Sequence, residues 1–225
     1  MSGYYDDKLA AERLRRCYEL ASPRVRQYLR AEIGYVARKV GRGDVVLELG
    51  CGYGRVLGPW TARARLVVGV DTSLASLALA REELASCDNV RLVQGDAVRL
   101  GLCDGAVDVV ACIQNGISAF HVDPRELMAE AVRVARPGGR VLFSSYAEAF
   151  WEERLAWFEA QAAAGLLGAI DYARTGGGVI ACKDGFEATT FASRDFEALA
   201  ASLGLEASLS EVDDSSLFCE IVKPI

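Results

Sequence analysis

The chain has 225 residues, 52% apolar and 25% charged, which suits one compact domain with a sizeable core. No apolar stretch approaches the ~20 residues a membrane span needs, and 25 basic against 31 acidic residues give a net charge of −6, the wrong sign for a general nucleic-acid binder. Seven cysteines without a C-x-x-C pair and a single histidine, His121, argue against a disulfide framework and against a metal site. The opening MSGYYDDKLA has no basic stretch followed by an apolar core, so no signal peptide and a cytoplasmic protein are expected.

Residues 7–40 read as two helices broken near Ser22–Pro23, placed on the rim of the domain. Arg13, Arg15, Arg16, Arg24, Arg26 and Arg30 form their solvated face. Val45–Leu49 is a short apolar run that enters a Gly-rich turn. Residues 66–70 form a second run ending in Asp71, and Thr72 and Ser73 cap a helix over 74–84. Val90–Gln94 is a third run followed by Gly95-Asp96, and 107–113 a fourth. Asp123 and Pro124 open a helix to about Ala135, which Pro137-Gly138-Gly139 ends, and 140–145 is a fifth run. Strand-like runs alternating with helices predict an α/β fold with a parallel sheet covered on both faces.

Residues 148–167 read as a helix bearing Trp151, Trp157 and Phe158. Runs at 178–182 and 186–191 flank Lys183-Asp184-Gly185, a hairpin signal. Ser193 caps a helix over 194–203 that Gly204 ends, and the runs 206–210 and 217–223 close the chain. The expected organisation is a single domain over 1–225. Residues 1–40 form an N-terminal helical lid, and 147–191 form a helix-plus-hairpin insertion over an acceptor site.

The strongest motif is Val46-Leu47-Glu48-Leu49-Gly50-Cys51-Gly52-Tyr53-Gly54. Glycines at the mouth of a helix let backbone approach a ligand. A dinucleotide fingerprint needs glycine at position 55, which is Arg55, and Glu48 would repel a pyrophosphate. The stretch resembles motif I of the class I S-adenosylmethionine-dependent methyltransferases, and the likeness continues in order. Asp71 matches the acid that bonds the ribose hydroxyls, where a carboxylate offers two acceptors to two donors. Gly95-Asp96-Ala97 resembles the adenine loop, and Asp108 to Asn115 resembles the motif lining the methyl-transfer site. The likeness covers residues 40–146 and 193–225.

The resemblance implies a doubly wound, Rossmann-like, seven-stranded, mostly parallel sheet with its last strand antiparallel and Val45–Leu49 central. It implies S-adenosyl-L-methionine as cofactor, held by Glu48, Gly50, Cys51, Gly52, Gly54, Asp71, Thr72, Asp96, Ala97, Ile113 and Gln114, and no metal. Asn115 is expected to place the acceptor or the cofactor's amino acid end, and His121 to act as general base. The loop from Gln114 to His121 is similar to that of small-molecule N-methyltransferases of the glycine type. There is no Asn/Asp-Pro-Pro-Tyr motif, no arginine-methylating glutamate pair and no catechol-type metal trio. The expected acceptor is therefore a small molecule with an N, O or S nucleophile. Neither nucleic acid nor membrane is an expected partner, and the protein is expected as a monomer or homodimer. A non-catalytic cofactor-binding partner and an aminopropyl-type transferase are the alternatives. The insertion is expected to bring Tyr146 and one of Trp151, Phe186 or Phe191 toward the methyl, with Tyr4 and Tyr5 as a flexible lid.

Overall fold

The computed structural model describes residues 9–225; Tyr4 and Tyr5 lie outside the described residues. Two helices, α1 (Ala11–Glu19) and α2 (Pro23–Ala37), lead into β1 (Val45–Leu49), α3 (Leu57–Thr61), β2 (Leu66–Asp71), α4 (Leu74–Glu83), β3 (Val90–Gln94) and β4 (Val107–Cys112). Next come α5 (Gly116–Ala119), α6 (Pro124–Val134), β5 (Ala135–Tyr146), a 3-10 turn at Glu148–Phe150 and α7 (Trp151–Ala163). The chain closes with β6 (Ile180–Ala181), β7 (Glu187–Ala188), α8 (Ser193–Ser202), β8 (Ala207–Val212) and β9 (Ser216–Val222).

Seven strands form one sheet in the order β3-β2-β1-β4-β5-β9-β8, and β6 and β7 make a separate hairpin. β1 to β5 pair in parallel, and β9 runs antiparallel to both β5 and β8. This is the doubly wound, Rossmann-like sheet expected, with Val45–Leu49 central and the last strand antiparallel. β1 is apolar at nearly every position because both faces are covered. Strand alternation sends Val45, Leu47 and Leu49 to a core with Leu127, Met128, Phe196 and Ala200 of α6 and α8. Val46 faces the opposite core, with Ile33, Val36, Leu57 and Trp60. The second N-terminal helix therefore covers a sheet face instead of sitting on the rim.

A third core joins the two segments that the sequence left least defined. Tyr28 and Leu29 of α2 and Cys17 of α1 pack with Tyr146, Phe150, Trp157, Phe158, Ile180 and Phe186. The first helix spans this core like a strap. Its Ala11 N–H donates to Ser76 Oγ of α4 at 3.0 Å, and Trp157 Nε1 of α7 donates to the Cys17 carbonyl at 2.9 Å.

Four local expectations change. β5 starts at Ala135, so Pro137-Gly138-Gly139 lies inside a strand, not in a helix stop. The register against β4 breaks there, and Gly138 takes φ +72, which admits the proline. The helix expected at 148–167 is a 3-10 turn followed by α7, which ends before Gly165 at φ +70. Ser193 is already helical: Ala192 holds the cap position, and its N–H donates to Asp195 Oδ2 at 2.8 Å. The Asp-Gly hairpin forms with shorter strands than expected, pairing Ile180 with Ala188. No described helix is long and apolar enough to cross a membrane.

Candidate cofactor and methyl-transfer site

The carboxyl ends of β1, β2 and β4 open into a cavity of about 640 Å³. Where β1 ends, Gly50 and Cys51 both donate to the Val70 carbonyl at 2.8 and 3.0 Å, so the turn is tied to β2. Gly50 has φ +73, and a Cβ there would lie 2.4 Å from the Phe120 ring. Only glycine fits both the conformation and the space. Gly54 is different. It is not among the residues that border the cavity, and a Cβ on it would meet Cδ1 of Leu84, the residue that caps α4, at 2.7 Å. The tight approach of Leu84 and Ala80 is thus one reason for a glycine at this position.

Asp71 ends β2. Its Oδ2 accepts from Gly52 N–H at 2.7 Å and its Oδ1 from Ser73 N–H at 2.9 Å, which fixes the carboxylate at the cavity wall. Thr72, Asp96, Ala97, Ile113 and Cys51 also border the cavity, as expected. Asp96 is exposed, and its Oδ1 accepts from Val98 N–H at 3.0 Å, so it also shapes its own turn.

Glu48 is buried on β1 and borders the same cavity. Burial pushes its carboxyl well above the usual range, offset in part by the Ile113 amide, and its Oε2 has no hydrogen-bond partner. Across the cavity, Gln114 Oε1 accepts from Arg55 Nη2 and from Tyr18 Oη, the latter at 3.3 Å. The Arg55 guanidinium lies 4.2 Å from the Tyr18 ring centre. Arg55 Nε and Gln114 Nε2 are buried without partners.

Gln114 and Asn115 both sit in the left-handed region, at φ +57 and +63. Such conformations persist only where the surroundings enforce them. Here Gln114 N–H donates to Glu32 Oε2 and to Ser144 Oγ, each at 2.8 Å. Glu32 comes from α2 and is fully buried; burial raises its carboxyl to about 7 despite help from Ser144, Ser216 and the Gln114 amide. Asn115 does not border the cavity. Its Nδ2 donates to the Thr189 carbonyl and its Oδ1 accepts from Ser145 Oγ, both at 2.8 Å, so its side chain ties the loop to the segment after β7 and to β5. His121 is exposed at the cavity edge with φ +52.

Sequence reasoning missed Tyr18, Glu32, Arg55 and Phe120. Arg55 entered only as the residue that breaks a dinucleotide motif, yet it borders the cavity. Glu32 had a visible signal: it falls on the buried stripe Val25, Tyr28, Leu29, Glu32, Ile33, Val36 of an otherwise amphipathic helix. Of the aromatics expected near the methyl, Trp151 and Phe191 border no cavity described here, while Tyr146 and Phe186 border a smaller inner one. Tyr172 is exposed, with its hydroxyl on Glu159 at 2.6 Å.

The unpartnered polar atoms test the cofactor. A carboxyl oxygen, a guanidinium N–H and an amide N–H, all buried without partners on residues that border one cavity, are the complement of a zwitterionic amino acid group. The glycine turn beside them admits a ligand against bare backbone. The residues present fit S-adenosylmethionine, the cofactor of the family this arrangement resembles.

Comparison with known proteins agrees. Residues 47–143 match a family model described as a methyltransferase domain. The chain is 36% identical over 122 residues to malonyl-acyl-carrier-protein O-methyltransferase of Marinomonas sp., covering 53% of this chain and 44% of that protein. It is 44% identical over 131 residues to ribosomal RNA small subunit methyltransferase A of Moorella thermoacetica, covering 46% of each. The chain thus spans about half the length of these curated relatives, whose acceptors differ from one another. A solved S-adenosylmethionine-dependent methyltransferase from Aquifex aeolicus superposes with a TM-score of 0.64 at 14% identity, over 93% of this chain and 97% of that one, a likeness of fold. Motif order, sheet topology and the methyltransferase domain matched over residues 47–143 converge on the fold of the class I S-adenosylmethionine-dependent methyltransferases.

Proposed function

We propose that the protein transfers the methyl group of S-adenosylmethionine to a small-molecule acceptor. The observation that carries this reading is the set of unpartnered buried polar atoms, Glu48 Oε2, Arg55 Nε and Gln114 Nε2, around one cavity at the strand ends. When bound, the cofactor supplies an electrophilic methyl on a sulfonium, which reacts by in-line displacement. The chain's own residues have three tasks. Glu48 meets an ammonium and Arg55 with Gln114 meets a carboxylate; Asp71 receives the ribose hydroxyls, and Asp96 and Ala97 border the base. The strained Gln114 loop sets the line of approach, since rate in such transfers comes largely from positioning. Leu9, Leu14 and Tyr18 border the cavity from the N-terminal segment and exclude water. His121, at the cavity edge, is placed to take a proton from an acceptor that must lose one.

Residues 1–40 serve as a lid and 147–191 as a roof over the acceptor. Their shared aromatic core beside Tyr146, at the end of β5, supports that reading. The test is calorimetric titration with S-adenosylmethionine, followed by a methyl-release assay against a metabolite panel. Asp71→Ala is expected to weaken binding by about 1–3 kcal/mol, the range for charge-assisted hydrogen bonds, and to stay folded. Unchanged affinity in the folded variant removes Asp71 from the site.

A further inference from the structure

Behind the main cavity lies a second, of about 50 Å³. Its wall is aromatic: Tyr28, Tyr146, Trp157, Phe158 and Phe186 border it. Ring pairs there meet tilted or edge-on, with centroids 5.4 Å apart for Tyr28–Tyr146, 5.7 Å for Phe158–Phe186 and 5.9 Å for Trp157–Phe158. Tyr18, Gln114, Leu9 and Leu14 border both cavities, so the inner one opens beside the methyl-site loop.

Two features say what it accepts. No Asp, Glu, Lys, Arg or His is among the described residues bordering it. Burial holds the phenols of Tyr28 and Tyr146 above their ordinary range, the latter at about 12, so they are neutral too. An ion entering such a wall loses its water and meets rings first, because the nearest cation, the Arg154 guanidinium 4.4 Å from the Tyr146 ring centre and 5.7 Å from that of Phe158, does not border the cavity. The second feature is Gln161 of α7. It is 3% exposed, borders the cavity and makes no side-chain hydrogen bond with a described residue. A buried carboxamide left so is poised for a ligand's polar atom. The Trp157 N–H is already spent on the Cys17 carbonyl. In size, the pocket is about a third of the roughly 150 Å³ cavity known to admit benzene, so it holds the tip of a molecule, not a whole ring system.

We propose that this inner pocket receives the far end of the methyl acceptor, and that the acceptor is an uncharged molecule ending in a small apolar group with one hydrogen-bonding atom set against Gln161. This rests on the methyltransferase reading above. The reacting atom then stays in the main cavity beside Gln114.

The test uses the whole chain saturated with S-adenosylhomocysteine, whose binding is measured first by calorimetry. Three probes share one skeleton: 4-(2-hydroxyethyl)phenol is neutral, tyramine cationic and 4-hydroxyphenylacetate anionic. The neutral probe is expected to bind roughly tenfold or more tighter than either ion, a difference set by desolvation. It is expected to shift the indole resonance of Trp157 in the unaltered protein. Gln161→Leu is expected to weaken the neutral probe about tenfold, the scale of one lost hydrogen bond, while leaving S-adenosylhomocysteine affinity unchanged. Equal or tighter binding of tyramine, as an aromatic cage for cations would give, overturns the proposal. So does tighter binding of the anion, or neutral binding that leaves Trp157 unshifted. If S-adenosylhomocysteine binds and no neutral probe does, the pocket assignment alone fails. If S-adenosylhomocysteine itself fails to bind, the methyltransferase reading fails and takes this one with it.

Discussion

Glu48 and Glu32 are two buried carboxyls on the same side of the sheet, and Glu32 adds to the cost of ionising Glu48. Glu48 is raised by burial first and by Glu32 in addition. Without a ligand, burial therefore favours its protonated form. A cation seated beside Oε2 reverses the balance and favours the carboxylate. Binding of S-adenosylmethionine is accordingly expected to release a proton. Calorimetry in buffers of different ionisation enthalpy measures this directly, and a buffer-independent enthalpy at pH 7 would contradict it. Glu32 makes a different prediction. Its folded value of about 7 lies above the 4.5 of a free carboxyl, so the folded state holds the extra proton between those limits. Its contribution is present below pH 4.5 and is lost as pH rises through 7. The loss amounts to about 3 kcal/mol. Glu32→Gln keeps an acceptor for the Gln114 amide and removes the titration. Urea unfolding is expected to show the stability gap between variant and parent growing by about that amount from pH 5 to pH 8, in the variant's favour.

At the scale of elements, the loop after β4 is held from two sides. Glu32 and Ser144 fix the Gln114 amide, while Asn115 and Ser118 reach the segment after β7. Ser118 Oγ and Thr189 Oγ1 are 2.5 Å apart, and Ser145 Oγ accepts from Phe191 N–H at 2.9 Å. Asn115→Gly isolates this link, because glycine keeps the left-handed backbone at no steric cost while both side-chain bonds vanish. It is expected to lower stability by about 2 kcal/mol, to speed hydrogen exchange at 186–191, and to leave S-adenosylmethionine affinity within twofold. A matching loss of cofactor affinity would return Asn115 to the binding site. The strand order and the glycine turn were legible because parallel strands buried on both faces must be apolar and a ligand-hugging turn must be glycine. The tie from Asn115 to Thr189 and Ser145 was not legible because its direction depends on a left-handed kink that local sequence does not encode. Glu32 and Arg55 were missed because their meaning arises only when α2, β1 and the β4 loop converge, contacts spanning 82 residues for Glu32 to Gln114 and 59 for Arg55 to Gln114. The packing of Gly54 against Leu84 was not legible either, because motif likeness marks that a glycine is required without saying what requires it.

At the scale of the molecule, three cores share one sheet, and only the third belongs to segments outside the matched domain. That core is assembled from both ends of the insertion and from α1 and α2, so neither segment buries its aromatics alone. The strap helix α1 crosses it, pinned at Ser76 on one side and by Trp157 on the other, with Arg13 Nη2 donating to the Gly165 and Leu166 carbonyls at 3.0 and 3.1 Å. Leu14 and Tyr18 of this helix, with Leu9 just before it, border both cavities. Two ligands that press on one common wall do not bind independently: whichever arrives first spends the entropy of ordering that wall, and the second inherits it. The coupling must be the same read from either ligand. With S-adenosylhomocysteine bound, the neutral phenol probe is expected to gain about 5-fold or more in affinity, and with the probe bound the nucleoside is expected to gain by an equal factor. Tyr18→Ala is expected to shrink both factors together. Cofactor and acceptor would then favour each other in either order of arrival and hold the products until the strap lifts, making the opening of a nine-residue helix, and not the displacement at carbon, the step that limits turnover.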